Sequence, residues 1–132
     1  MSRILVVDDE KSMRDFFGIL LRREEHEVET AVSGEEALDL VARRTYDLVI
    51  TDLKMPRVSG LEVLRGVKAS SPDSEVIVIT AYSAVETAIQ AMRLGAFNYL
   101  SKPFNNEEIK IVIEKALEKR HLVAENQRLQ EA

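Results

Sequence analysis

Five short apolar runs alternate with five segments of helical periodicity, and this alternation constrains the fold more than any other feature of the sequence. Continuous runs of Val, Ile and Leu are typical of parallel strands that are covered on both faces. A β-α order repeated five times predicts an α/β fold, a doubly wound five-stranded parallel sheet joined by right-handed crossovers. The predicted strands are residues 4–7, 28–31, 48–50, 76–79 and 97–100, of which the second is half polar and suits a sheet edge.

The helical segments between the runs have apolar faces and marked starts. Met13, Phe16, Phe17 and Leu20 follow the spacing i, i+3, i+4 and i+7 of one helix face. A Ser or Asn followed three residues later by Glu predicts a helix start, because its side chain accepts from an otherwise unpaired backbone N–H. Four such pairs occur: Ser33 and Glu36, Ser59 and Glu62, Ser83 and Glu86, and Asn105 and Glu108. The fifth helix has no Gly or Pro after Asn106, so it is predicted to be extended.

Composition argues against several other classes of protein. The chain has 132 residues, a net charge of −5 and no cysteine, so neither a disulfide framework nor a thiolate metal site is available. The acidic balance argues against direct binding of this fragment to a nucleic-acid backbone. No apolar run is long enough to span a membrane and no signal peptide is evident, so a cytoplasmic location is expected.

Polar and charged side chains follow four of the five predicted strands. The first run ends in Asp8 and Asp9, the third in Asp52 and the fourth in Thr80, and Lys102 follows the fifth. The carboxyl ends of parallel strands lie along one edge of a sheet, where open α/β sheets bind their ligands. One crevice is therefore expected to contain three carboxylates, a hydroxyl and an ammonium group.

Together these groups have a chemical interpretation that each lacks alone. Singly, the Asp8-Asp9 pair is equally well a helix cap, Asp52 a turn residue and Lys102 a solvated charge. As a set, three carboxylates repel one another without a cation, and hard oxygen ligands suit Mg²⁺ or Mn²⁺. A carboxylate between a metal ion and a lysine can attack a phosphoryl group, because positive charge on both sides neutralises the transferring oxygens.

The motifs at these strand ends resemble those of the response-regulator receiver (CheY-like) domain. The resemblance covers nearly the whole chain, from Ile4 to about Leu117, in the family's order and spacing. It implies the flavodoxin-like strand order 2-1-3-4-5 and a regulatory phosphoacceptor that catalyses only its own phosphorylation and dephosphorylation. The pattern at residues 95–104, with the tail around Asn126, further resembles NtrC-like activators of σ54-dependent transcription. The matching segments are 4–10, 47–52, 55–61, 80–81 and 95–104.

The resemblance also implies a role for each residue at the centre of the site. Asp52 is the expected nucleophile, which takes a phosphoryl group from a sensor histidine kinase or from a small donor such as acetyl phosphate. Asp9, Asp52 and the backbone carbonyl of Lys54 are the expected Mg²⁺ ligands. Asp8 is expected to act mainly through water, and Mn²⁺ to substitute for Mg²⁺.

Further implied roles concern the response to phosphorylation. Thr80 is expected to move to the phosphoryl group and Lys102 to pair with it, on a Lys102–Pro103 bond that is typically cis in the family. Tyr99 is expected to be a rotamer switch that follows Thr80, with a half-buried strand aromatic as the plainer interpretation. The face built from the fourth helix, the fifth strand and the fifth helix is expected to shift. The family tunes the lifetime of the phosphoryl group at the positions of Lys54 and Tyr82.

The sequence is predicted to divide into a receiver domain, residues 1–118, and a helical extension, residues 119–132, that leads toward an output domain. The extension is polar, and no part of the predicted sheet is left for it to pack on. Leu122 and Leu129 are seven residues apart with Asn126 between them, a pattern that selects a two-stranded parallel coiled coil. A homodimer through the fifth helix and this tail is predicted, with a solvated linker as the alternative.

Other functions fit the sequence less well. A haloacid-dehalogenase-like phosphatase requires a second Asp two residues after the nucleophile, where this sequence has Lys54. A flavodoxin-like cofactor carrier needs a phosphate-binding loop after the first strand, where Asp8, Asp9 and Glu10 would repel phosphate. A dinucleotide-binding fold requires the motif Gly-x-Gly-x-x-Gly, which the sequence lacks. An interaction module without phosphotransfer stays open as the alternative.

Overall fold

The sheet and its covering helices follow the order that the sequence pattern predicts. The structure, a computed structural model, describes residues 2–81 and 84–131. The strands are β1 (Arg3–Val7), β2 (Glu27–Ala31), β3 (Leu48–Asp52), β4 (Glu75–Thr80) and β5 (Asn98–Ser101). The helices are α1 (Lys11–Arg23), α2 (Gly34–Arg43), α3 (Gly60–Ser70), α4 (Val85–Arg93) and α5 (Asn106–Glu131). All five strands are parallel, in the order β2-β1-β3-β4-β5, which confirms the predicted fold.

Side chains of the strands alternate between two hydrophobic cores, one on each face of the sheet. In β1, Leu5 and Val7 belong to the core with α2, α3 and α4, while Ile4 and Val6 belong to the core with α1 and α5. The central strands β3 and β4 are buried along their whole length. Burial on both faces explains why these strands read as continuous apolar runs in the sequence.

Side-chain caps form at three of the four predicted helix starts. Ser33 and Ser59 accept from the backbone N–H three residues later, at 3.1 and 3.3 Å. The Oδ1 atom of Asn105 accepts from two backbone N–H groups at 2.8 and 3.4 Å. The fourth predicted cap, Ser83, lies outside the described residues. The residue directly before α4 is Ala84, whose side chain makes no capping hydrogen bond.

Three strands continue past their apolar runs into polar residues. β3 includes Thr51 and Asp52, β4 ends at Thr80 and β5 ends at Ser101, because pairing with the neighbouring strand continues to these positions. The fifth strand also begins at Asn98, one residue later than predicted. Hydrophobicity alone misses such ends, since this edge of the sheet carries polar side chains on regular strand backbone.

The extended α5 keeps contact with the sheet further than the sequence predicts. Its first tail residues lie at the amino edge of the sheet, opposite the edge that carries Asp52 and Thr80. Three contacts, called here the tail contacts, join Lys119 to Glu75 at 3.2 Å, Arg120 to Asp47 at 3.2 Å and His121 to Ser2 at 2.9 Å. Beyond them, Leu122 and Leu129 are 58% and 68% exposed. Neither α5 nor any other described helix is both long and apolar enough to cross a membrane.

Candidate functional site

Four strand ends bring the predicted site residues to one edge of the sheet. Asp8 follows β1, Asp52 and Thr80 end β3 and β4, and Lys102 follows β5. Because β1, β3, β4 and β5 are successive neighbours, these residues lie next to one another across the sheet. The backbone N–H of Lys102 donates to the carbonyl of Thr80 at 2.8 Å, so the loop after β5 is fixed against the end of β4.

Three carboxylates form an acidic cluster at this edge. Asp8, Asp9 and Asp52 each place one oxygen so that the three atoms lie within 4.8 Å of one another. Asp8 and Asp52 are 4% and 7% exposed, whereas Asp9 lies at the surface. Hard oxygen ligands on one side and access to solvent on the other suit a hydrated Mg²⁺ or Mn²⁺ ion. The donor set therefore fits the divalent cation that the sequence predicts.

Lys102 brings positive charge to the acidic cluster. Its Nζ lies 3.4 Å from an oxygen of Asp8 and 3.9 Å from an oxygen of Asp52, and all three side chains are largely buried. Water therefore screens these charges less than it would at the surface. The Lys102–Pro103 peptide bond is cis, as the resemblance predicts.

Burial raises the pKa of both inner carboxyl groups. The pKa of Asp52 rises to about 6, mainly because burial disfavours the charged form; Lys102 opposes this shift, while the charges of Asp8 and Asp9 add to it. Burial also raises the pKa of Asp8, against the backbone hydrogen bond from Glu10 and the charge of Lys102. A cation in the acidic cluster would favour the charged forms, so the site is suited to a positively charged ligand.

Hydrogen bonds to Asp8 fix the loop between β1 and α1. One carboxylate oxygen of Asp8 accepts from the Glu10 N–H at 2.9 Å, and Nη1 of Arg14 donates to the Asp8 backbone carbonyl at 2.7 Å. The sequence does not predict this role for Arg14, because an arginine in the first turns of a helix has no motif that points back to the preceding strand end. Its contact depends on how α1 is placed against β1.

The loop after β3 approaches Asp52 closely enough to require a glycine. The N–H of Gly60 donates to the carbonyl of Leu53 at 2.8 Å, and a Cβ on Gly60 would collide with the backbone carbonyl oxygen of Asp52. Lys54 lies at the start of this loop with its side chain exposed. The role of the Lys54 backbone carbonyl as a metal ligand stays a prediction.

Thr80 and Tyr99, the two predicted switch residues, differ in how deeply they are buried. Thr80 is fully buried, and Tyr99 is half-buried against the core with α2, α3 and α4. The Tyr99 hydroxyl lies 2.9 Å from Oγ1 of Thr87 in α4. The sequence does not predict this contact, because Thr87 belongs to no motif. The switch roles of Thr80 and Tyr99 stay predictions, and Tyr82 lies outside the described residues.

Comparison with known sequences adds an independent line of evidence. Residues 4–114 match the family model described as the response regulator receiver domain. The transcriptional regulatory protein ZraR of Escherichia coli O157:H7 is 41% identical over 120 residues, which cover 91% of this chain and 27% of that protein. The chain thus spans little more than a quarter of the length of this curated relative.

Solved structures agree in both fold and sequence. NtrX from Brucella abortus is 36% identical, with a TM-score of 0.88, over 97% of this chain and 29% of that chain. A receiver domain of NtrC4, solved as a beryllofluoride-activated dimer, is 36% identical with a TM-score of 0.85, over 91% of this chain and 99% of that chain. The NtrC4 match thus aligns nearly the whole of a solved receiver domain with nearly the whole of this chain.

Proposed function

Because this chain belongs to the response regulator receiver domain family, we propose that it is a phosphorylation-controlled switch in which Asp52 carries the phosphoryl group. The observation that supports this most directly is the acidic cluster, which places an oxygen of Asp52 within 4.8 Å of the other carboxylates and 3.9 Å from Lys102. Both oxygens of Asp8 have partners in Glu10 and Lys102. Asp52 ends β3, the central strand of the sheet, and is the carboxylate that we propose reacts.

The proposed transfer is a displacement at phosphorus. An oxygen of Asp52 forms the new P–O bond while the bond from phosphorus to a histidine nitrogen of the kinase breaks, and its electron pair leaves with the imidazole. Acetyl phosphate would lose acetate in the same way. Lys102 pairs with one phosphoryl oxygen and Thr80 donates a hydrogen bond to another. Mg²⁺ bound in the acidic cluster would neutralise the charge that spreads over the phosphoryl oxygens.

The metal that suits the acidic cluster is Mg²⁺, with Mn²⁺ as a substitute. Asp9, Asp52 and the backbone carbonyl of Lys54 are the proposed ligands, and Asp8 acts through water. The support is the donor set itself, three carboxylates with their nearest oxygens within 4.8 Å, of which Asp9 reaches solvent. An incoming hydrated ion therefore keeps part of its water shell.

The proposed response to phosphorylation is a shift of the face built from α4, β5 and α5. Phosphorylation adds roughly two negative charges and three acceptor oxygens at Asp52. We expect Thr80 and Lys102 to bind them, and Tyr99 lies in β5, three residues before Lys102, which directly follows that strand. Movement at the site therefore has a short covalent path to this face.

For the whole protein we infer an NtrC-like activator of σ54-dependent transcription, phosphorylated in the cytoplasm by a sensor histidine kinase. Similarity to ZraR, NtrX and NtrC4 supports this inference. Residues 1–118 would form the receiver and residues 119–132 an extension toward an output domain. The activated NtrC4 receiver is a dimer, and a homodimer through α5 and its tail is proposed here.

Mass spectrometry after incubation with acetyl phosphate and Mg²⁺ tests the proposed function. We expect a gain of one phosphoryl group that requires Mg²⁺ and is lost in Asp52→Asn. The matched control is Asp39→Asn, which removes an exposed carboxylate of α2 and should be labelled like the wild type. Full labelling of Asp52→Asn would overturn the assignment. A wild-type chain that is never labelled would favour an interaction module without phosphotransfer.

A further inference from the structure

A chain of hydroxyl hydrogen bonds joins β5 to the first turn of α4. Oγ1 of Thr87 lies 2.9 Å from the Tyr99 hydroxyl and 3.0 Å from the carbonyl oxygen of Ala84. A threonine hydroxyl has one proton to donate. Because a carbonyl can only accept, Thr87 donates to Ala84 and the Tyr99 hydroxyl donates to Thr87. The two bonds run in one direction, an order in which each strengthens the other.

This chain of bonds lies at a helix start where the N-cap residue, the only described residue between Ala81 and α4, offers no side-chain cap. Ala84 directly precedes α4 and its side chain cannot accept from the helix. Thr87, at the third position of α4, instead reaches back to the Ala84 carbonyl. The position of the first turn of α4 is therefore linked to the position of the Tyr99 side chain.

Short stretches of chain also connect Thr87 and Tyr99 to residues of the candidate site. Ala84 lies four residues after Thr80, and Tyr99 lies three residues before Lys102. The backbone N–H of Lys102 returns to the Thr80 carbonyl at 2.8 Å. Both ends of the Tyr99–Thr87 contact thus lead, over a few residues, to the two groups proposed to bind the phosphoryl oxygens.

We propose that Thr87 is a positioning residue that holds Tyr99 in its place in the unphosphorylated chain, so that the switch must break the Tyr99–Thr87 hydrogen bond. The proposal rests on the proposed function of Asp52. Thr87 lies in α4, outside the acidic cluster, and it acts through Tyr99 and the first turn of α4. Removing its hydroxyl releases both elements at once and favours the phosphorylated conformation.

A double-mutant cycle tests the pairing, with the initial rate of labelling by acetyl phosphate at saturating Mg²⁺ as the readout. Thr87→Val and Tyr99→Phe each remove the hydrogen bond with little change in shape. Each should speed labelling by about threefold to tenfold, the effect of one intramolecular hydrogen bond. The double variant should be no faster than the single variants, because both remove the same bond. Thr87→Ser should restore the wild-type rate.

A control and a second readout separate this inference from the proposed function. Thr30→Val, at an exposed position of the opposite edge strand β2, should leave the labelling rate unchanged. Hydrogen exchange of the first-turn amides of α4 needs no phosphorylation, and it should be faster in Thr87→Val and Tyr99→Phe but no faster still in the double variant. Additive effects, or unchanged exchange in either single variant, would overturn the inference. Failure of the wild-type chain to be labelled would instead overturn the proposed function, and the exchange result would still decide whether the pair is linked.

Discussion

The carboxyl group of Asp52 ends a fully buried strand and is itself only 7% exposed. Burial raises its pKa to about 6 from the ordinary value of 3.8, against the attraction of Lys102. At neutral pH the group is charged, so the folded chain carries an unfavourable charge that the unfolded chain hydrates freely. The residue proposed to react is therefore one that weakens the fold.

Asp52→Asn should raise the free energy of unfolding at pH 7 in the absence of divalent cations. Between pH 3.8 and about 6 the folded wild-type chain binds more protons at Asp52 than the unfolded chain, so its stability falls as the pH rises through this window. Asparagine does not titrate and avoids this loss. We expect a gain of about 1–3 kcal/mol above pH 6 that disappears below pH 4. Urea unfolding of both proteins from pH 4 to pH 8 measures it.

Asp39→Asn is the control for the pH series, since Asp39 is an exposed residue paired with Arg43 and its loss should change stability by less than about 1 kcal/mol. Added Mg²⁺ should narrow the gap between wild type and Asp52→Asn, because a cation bound in the acidic cluster stabilises only the folded chain that retains its ligands. A stability difference that is the same at every pH would contradict the assigned cause.

The residues of the candidate site differ in how far the sequence predicts them. Asp8, Asp52 and Thr80 were predicted because strand ends can be located from apolar runs, and parallel strands share one edge. Arg14 and Thr87 were missed because their contacts depend on the rotation of α1 and α4 against the sheet. That rotation is set by packing of the whole helix, and no short stretch of sequence records it.

At the scale of elements, the end of α1 contains a residue, Glu25, whose type does not suit its backbone conformation. Helix α1 ends with the N–H groups of Glu25 and His26 donating to Arg22 and Leu21, at 3.0 and 3.2 Å. This pairing places the residue after the cap in the left-handed region, where glycine is usual. Glu25 occupies that position with φ of 66°. Its negative charge also lies at the negative end of the helix dipole.

Glu25→Gly should raise the free energy of unfolding by about 0.5–1 kcal/mol. Glycine adopts positive φ without the steric strain of a side chain, and it removes the charge from the end of α1, although it also gives the unfolded chain more freedom. Thermal or urea unfolding measures the change. Glu25→Ala is the matched control, because it removes the charge and keeps the strain, so it should gain less than the glycine variant. An alanine variant as stable as the glycine variant would show that charge alone matters.

Element boundaries were predicted to within a residue or two, and the differences have a physical cause. Strand ends at Asp52, Thr80 and Ser101 are polar, so the apolar pattern stops before the backbone pairing does. Helix starts at Ser33 and Ser59 were predictable because a cap is a local interaction. The start of α4, at Val85, lies within two residues of the predicted cap Ser83. The contact of Thr87 with Tyr99 there was not predictable, because the two residues are twelve positions apart in the sequence.

At the scale of the whole molecule, the tail of α5 is both held by the sheet and exposed beyond it. The tail contacts join Lys119, Arg120 and His121 to the amino edge of the sheet. Leu122 and Leu129 then lie largely exposed in the same helix. An isolated polar helix of this length is marginally stable in water, so exposed leucines at a spacing of seven favour a helical partner.

Sedimentation should show a homodimer that loosens when the tail is removed. We expect a chain cut after Lys119 and a chain cut after His121 to sediment more slowly than the full chain, because both lose Leu122 and Leu129. The second cut preserves the contacts of Arg120 and His121, so it separates loss of the tail from damage to the domain. A full chain that is strictly monomeric at high concentration, with and without phosphorylation, would make the tail a plain linker.

The tail contacts also fix the angle about the helix axis at which α5 would hold an attached domain. α5 leaves the sheet in a direction fixed by Lys119, Arg120 and His121, and it continues as regular helix to Glu131. Each residue of an α-helix turns the chain by about 100° and advances it by about 1.5 Å. One residue inserted after His121 would therefore swing an attached domain about a quarter of a turn around the helix axis. Seven inserted residues, close to two full turns, would return the attached domain to nearly the same orientation, at a greater distance from the sheet.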